Sequence, residues 1–221
     1  MKVHRNTNGF TLIEILVAMV LSTIVMAAIY STYYSQQKSY MVQEQVAGMQ
    51  QNLRAAMFYM ERDIRVAGCD PTRTTDAGIT TASANTITFS EDTDGVPPPT
   101  SITYSLYVDA DGVQKLGRDA GGGQTPVAEY IDALNFVYFD KDGNDLADDG
   151  AGNVTSPANI DKIRSVELTV VARTGIEDRG YIDTNHYYNQ RDLVNPILAA
   201  QNDHHRRKVL STYIRCRNLG I

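Results

Sequence analysis

A mostly apolar run from Phe10 to about Ile29, uncharged but for one acid, constrains this chain more than any other feature. It is long enough to cross a bilayer, yet it carries one carboxylate, Glu14, near its start. A transmembrane helix needs about 20 such residues. A carboxylate inside the run costs about 2.5–3.5 kcal/mol on insertion scales, so a chain that keeps Glu14 is expected to supply its charge with a partner. The residues ahead of the run, Met1 to Gly9, are polar, with Lys2 and Arg5 positive and no acid. That bias holds an N-terminus on the cytoplasmic side. A secretory signal is cut after its apolar region, at small residues. Here the apolar region is followed by Tyr30, Tyr33, Tyr34 and a long polar stretch, with no compact cleavage site. Tyrosines in that position suit a membrane interface.

The helical signal continues past the membrane. Between Gln36 and Ala67 there is no proline, and only Gly48 interrupts good helix formers. Val42, Val46, Met49, Leu53, Met57, Met60 and Ile64 recur every three or four residues, which draws an apolar stripe down one helix face. Gln43, Gln50, Gln51, Arg54 and Arg65 fall opposite. Gly68 is a suitable C-terminal stop, and Asp70-Pro71 cannot easily continue a helix. The spacing predicts one helix from Phe10 to about Ala67, apolar all round at first and amphipathic afterwards. A coiled-coil dimer is the competing account of the stripe, but the strand-rich remainder offers the chain its own sheet as cover.

That remainder reads as β. Thr86 to Phe89 is a short strand, and Pro97-Pro98-Pro99 is a stiff linker. Ile102, Tyr104, Leu106 and Val108 alternate with polar residues, as a half-buried strand does. Asp111-Gly112 marks a hairpin turn, with a return over Val113 to Arg118. Gly121-Gly122-Gly123 reads as a flexible loop. Strands are expected over Ala133 to Phe139, through Val166, Leu168, Val170 and Ala172, and at Leu210, Thr212, Ile214 and Cys216. Ile176 to Arg207 has little periodicity and is expected to be a surface excursion.

Gly9-Phe10-Thr11-Leu12-Ile13-Glu14 resembles the prepilin signature of the type IV pilin and type II secretion pseudopilin superfamily. The resemblance implies that a membrane peptidase cuts after Gly9 and that Phe10 becomes a methylated mature N-terminus. Glu14 is then the acidic residue at the fifth mature position, with the α-ammonium of a neighbouring subunit's Phe10 as its counter-ion. Ile64-Arg65-Val66-Ala67-Gly68-Cys69 and Leu210 to Leu219 resemble the corresponding segments of PilW-type minor pilins. Leu116-Gly117-Arg118 followed by Leu134 to Asp140 is shared with J-type pseudopilins of type II secretion. The expected fold is α+β and pilin-like: a leader over 1–9, a long helix over 10–67 whose membrane half is 10–29, and a β-rich globular domain over 68–221. The implied function is a minor pilin that helps initiate type IV pilus assembly near the tip. Its implied partners are other pilins, the prepilin peptidase, the inner-membrane assembly machinery and, before assembly, membrane lipid. Its implied location is the inner membrane and then the pilus. A J-type pseudopilin, or an adhesive, ligand- or calcium-binding tip module, is the alternative.

Charge and motifs narrow the remaining classes. The chain has a formal charge of −6, and without Lys2 and Arg5 the remainder stands near −8. A general nucleic-acid binder would be basic. The basic cluster His204-His205-Arg206-Arg207-Lys208, extended by Arg215 and Arg217, reads as a solvated loop leading into a strand in preference to a polyanion patch. Cys69 and Cys216 are the two cysteines. In an oxidising periplasm they can bridge, which the chain-entropy model values at about 4–5 kcal/mol for so long a loop; two buried free thiols are the other reading. Asp140, Asp142, Asn144, Asp145 and Asp148 place oxygens at alternate positions, as calcium loops do. However, Asp145 stands where an EF-hand needs glycine and Ala151 where it needs glutamate, so a turn between strands is the preferred reading. His186, His204 and His205 lack zinc spacing and are expected to be solvated. No Gly-x-Ser-x-Gly, phosphate loop or dinucleotide fingerprint occurs, and no enzyme activity is expected. No cofactor is implied beyond the calcium candidate.

Overall fold

The computed structural model describes residues 9–220; the leader charges Lys2 and Arg5 lie outside them. One helix, α1, spans Leu12–Val66. The chain divides into two compact units, residues 1–44 and 45–221.

In the first unit every described residue from 9 to 41 is exposed. The helix there is long and apolar enough to cross a membrane, and none of that apolar window is buried. A helix satisfies its own backbone hydrogen bonds, so it can stand in lipid with nothing packed against it.

In the second unit the same helix acquires one buried face, formed by Met49, Leu53, Ala56, Met57, Met60, Asp63 and Ile64. The helix stops at Gly68, whose φ of 77° is the left-handed conformation that a helix C-cap favours. A Cβ at that position would press on the side chain of Leu219.

Two antiparallel sheets cover the stripe. The first runs in sequence order through β1 (Ile79–Ala82), β2 (Ile87–Glu91), β3 (Thr100–Val108), β4 (Gln114–Asp119) and β5 (Gln124–Glu129). The second is β6 (Ile131–Phe139), β7 (Ser165–Arg173) and β8 (Arg207–Arg215), with the short α2 (Pro157–Ile160) in the β6–β7 connection. β1 and β5 are not foreseen by the pattern. The glycine run is the tight connection from β4 to β5, and β5 carries Pro126, which an edge strand tolerates.

Alternate residues of both sheets and the helix stripe join in one core. Ile87, Phe89, Ile102, Tyr104 and Leu116 come from the first sheet, and Leu134, Phe136, Tyr138, Val166, Leu168, Val170 and Ile214 from the second. β7 is buried on both faces because the 174–206 excursion covers part of its outer side. There Ala133, Val171 and Tyr187 form a small separate apolar cluster with Ile197 and Leu198.

One carboxylate sits inside the main core. Asp63 accepts hydrogen bonds from the Tyr104 hydroxyl at 2.8 Å and from Arg118 Nε at 2.7 Å. Tyr104 and Arg118 are direct cross-strand partners on β3 and β4, so the register delivers both donors to one point. Burial alone would raise the Asp63 pKa. The donors from Arg118, Tyr104 and Arg62 outweigh it and hold this carboxyl below its ordinary range.

Candidate functional site

The N-terminal segment, where processing is expected from the resemblance, is bare. Gly9 and Phe10 are exposed, Phe10 by 86 %. Glu14 is exposed too, but its charge is not left alone. The Thr11 backbone N–H and the Thr11 hydroxyl both donate to Glu14 Oε2 at 2.8 Å, and the Glu14 N–H donates back to Thr11 Oγ1 at 3.3 Å. This reciprocal pairing is a capping box: the first helical turn has unpaired N–H groups, and Thr and Glu three apart satisfy two of them. It also places a negative group at the positive end of the helix dipole. Thr-x-x-Glu ahead of an apolar run is a legible signal, and it adds to Glu14 a partner that the superfamily resemblance does not name.

The cysteines are free thiols. Cys69 is half-buried just after the helix and Cys216 is buried at the end of β8. No disulfide joins them. Burial pushes the Cys216 thiol up to about 12, which leaves almost no thiolate to react near neutral pH. The C-terminal segment is tied to the helix end without a bridge. The Arg217 N–H donates to Arg65 O at 3.3 Å, and Asn218 Nδ2 donates to Val66 O at 3.2 Å.

The acidic loop is engaged in turns. Asp140 accepts the backbone N–H groups of Asp142 and Asn144, each at 2.8 Å, and the Asn144 side-chain amide. Asp148 accepts the N–H groups of Thr155 and Ser156, the Thr155 hydroxyl and the Asn159 amide. Those donors hold the Asp148 carboxyl far below the usual range. Asp145 accepts the Ala147 N–H, while Asp142 points to Lys141. The five candidate calcium ligands therefore do not converge, and among the described residues no group of three His, Cys, Asp or Glu side chains could hold a metal ion.

His204 to Arg207 are not a solvated loop, which corrects that expectation, while Lys208, Arg215 and Arg217 are exposed. β8 begins at Arg207, directly opposite Arg173 on β7, and two like charges side by side require acids between and around them. Asp132 accepts from Arg173 Nε at 2.9 Å and from Arg207 Nε at 2.6 Å. Arg207 also pairs with Asp183 at 3.1 Å and with Asp203 at 2.6 Å. Hydrogen bonding from Arg207 holds Asp203 at about 2, against burial that would raise it. Arg206 pairs with Asp178 at 2.8 Å and lies over the Tyr181 ring. His204 and His205 are half-buried as well, with ring nitrogens at 2.6 Å from Tyr181 O and 2.8 Å from Thr174 O. The cluster anchors the excursion to the second sheet.

Comparisons with known proteins agree with this geometry. Residues 4–30 match the model of the prokaryotic N-terminal methylation motif. The fold is similar to that of a type IV-like pilin from Thermus thermophilus, with a TM-score of 0.51 and 14 % sequence identity. The match covers 77 % of this chain and 97 % of that one. No curated protein matches the chain.

Proposed function

From a chain that carries the N-terminal methylation motif of prokaryotic pilins on a type IV pilin fold, we propose a minor pilin of a type IV pilus that is cut by prepilin peptidase after Gly9 and acts in assembly initiation near the tip. The observation that carries this reading is the division of α1. Residues 9–41 are wholly exposed and apolar over their first half, while the unit from residue 45 onward has a core of its own. An apolar helix with no interior of its own needs lipid first and the helices of neighbouring subunits later. Cutting at Gly9-Phe10 creates an α-ammonium at Phe10. The donors from Thr11 are neutral, so they orient Glu14 without cancelling its charge; a neighbour's ammonium cancels it and sets the axial register between subunits. The PilW-like segments around Gly68 and at the C-terminus support the minor-pilin assignment over that of a bulk subunit.

Deleting the gene and counting surface pili tests the reading, with the subunit quantified by mass spectrometry against the major pilin in sheared filaments. Loss of pili together with a low subunit ratio is expected. Normal piliation combined with failure to export a folded enzyme would assign the chain to type II secretion as a pseudopilin.

A further inference from the structure

The excursion covers only part of the outer face of the second sheet. Beyond the cluster at Val171, the middle of β7 carries Glu167, opposite Val137 on β6 and Tyr213 on β8. The Glu167 side chain is only 5 % exposed. Its Oε2 accepts one long hydrogen bond, 3.3 Å from Arg191 Nε, and its Oε1 is buried with no hydrogen-bond partner among the described residues. A carboxylate has lone pairs for about four donors, and burying one that is so poorly supplied is unfavourable.

The group over it is the less settled of the two. Arg191 is 54 % exposed. Its guanidinium rests on the Phe139 ring, 4.7 Å from the centroid. Phe139 packs against Tyr213 with centroids 5.8 Å apart, and the Tyr213 hydroxyl is held by Ser165. One carboxylate and two aromatic rings thus surround a place for a cation, and the chain's own guanidinium lies across it using one carboxylate oxygen.

We propose that Glu167, Phe139 and Tyr213 form a docking site for an arginine side chain of an adjoining protein subunit, which displaces Arg191 and pairs with both oxygens of Glu167. A guanidinium fork matches two carboxylate oxygens in a way that an ammonium does not, and aromatic faces favour its charge. The surroundings suit a protein partner. Among the described residues β8 pairs with no strand but β7, so its far edge offers backbone groups to another chain. Val209 and Tyr213, both exposed, stand on the same face as Glu167, and tyrosine and arginine are the residue types enriched at interface hot spots. That the adjoining subunit is a filament neighbour rests on the function proposed above. The cation chemistry of the site does not, and a free probe tests it separately.

Full-length protein in non-ionic detergent micelles is titrated with Nα-acetyl-arginine amide, with its neutral isostere Nα-acetyl-citrulline amide, and with calcium chloride. The readout is the tyrosine-ring NMR signal that Tyr213→Phe removes. The arginine probe is expected to move this signal saturably and the citrulline probe to leave it in place. Arg191→Gln should tighten the arginine probe at least threefold by clearing the site, and adding Glu167→Gln should then weaken it at least tenfold. An affinity unchanged by Arg191→Gln, an equal response to citrulline, or a response to calcium alone would overturn the proposal. The citrulline arm reads the charge requirement with the native carboxylate in place, so the proposal can still be overturned where Glu167→Gln fails to fold.

Discussion

Glu14 and Asp63 are two carboxylates on one helix, and the chain provides for them in opposite ways. Asp63 is buried and receives donors from β3 and β4, so its partners are delivered by the fold of the second unit. Glu14 is exposed and, among the described residues, receives donors only from Thr11, within its own first turn. Around Asp63 the structure is complete in one chain. Around Glu14 it is complete only as far as the helix cap, because a neutral threonine leaves a full negative charge on an apolar helix. The contrast separates the work of the two regions. The unit from residue 45 onward has a core of its own, and the segment before it exposes its apolar side chains, which under the proposed function lipid or other subunits cover.

The largest effect expected from breaking this contrast is on the buried side. Asp63→Ala leaves the Tyr104 hydroxyl and the Arg118 guanidinium without their acceptor, and removing one partner of a buried pair costs about 3–5 kcal/mol. Chemical denaturation followed by circular dichroism measures it.

Acid should act next, on the ion pairs of the second unit. Asp63, Asp183 and Asp203 have folded pKa values below their unfolded ones, Asp203 at about 2. Their contribution is fully present above the unfolded value of about 4 and is lost as pH falls through their lower folded values. Glu91 acts with the opposite sign. Burial, then the charge of Asp63, raises its pKa, so its protonation offsets part of the loss. Melting temperature followed from pH 6 down to 2 should fall mainly below pH 4, and Arg207→Ala should flatten that fall.

Thr11→Ala removes the capping box, for which about 1 kcal/mol is expected. The loss should appear as fraying of the first helical turn by amide hydrogen exchange, with the melting of the β-rich part unchanged. The smallest effect comes from the largest deletion. A chain starting at Gln45 should be soluble without detergent and melt within about 4 °C of the full chain, the shift that ~1 kcal/mol produces in a domain of this size.

The two regions also differ in how far their sequence can be read. The stripe from Met49 to Ile64 is legible because helix burial repeats every three or four residues, and the alternation that begins at Ile102 and Tyr104 shows a strand face in the same way, although Val108 at its end is exposed. Asp63 falls on the buried face by the same spacing, three residues after Met60, and Arg62 beside it is one donor, but Tyr104 and Arg118 lie 41 and 55 residues away and only strand register brings them in. β5 escapes because Pro126 argues against a strand wherever edge position is unknown. The excursion has no period because ion pairs hold it. Arg207 gathers acids from positions 132, 183 and 203, and nothing local in His204 to Lys208 distinguishes that from a basic patch. The Thr11–Glu14 box is different, because both of its residues lie within one helical turn and the pattern is visible in the sequence. A charge at the mouth of a membrane span is the stronger signal there, and it masks the neighbour three residues earlier.

The most direct test of the division between the two regions is the intact mass and N-terminal sequence of the protein recovered from membranes of cells with an active prepilin peptidase. A chain that begins at Phe10 and carries one N-terminal methyl group is expected. A chain that still begins at Met1 would contradict pilin processing and leave the apolar segment as an ordinary signal anchor.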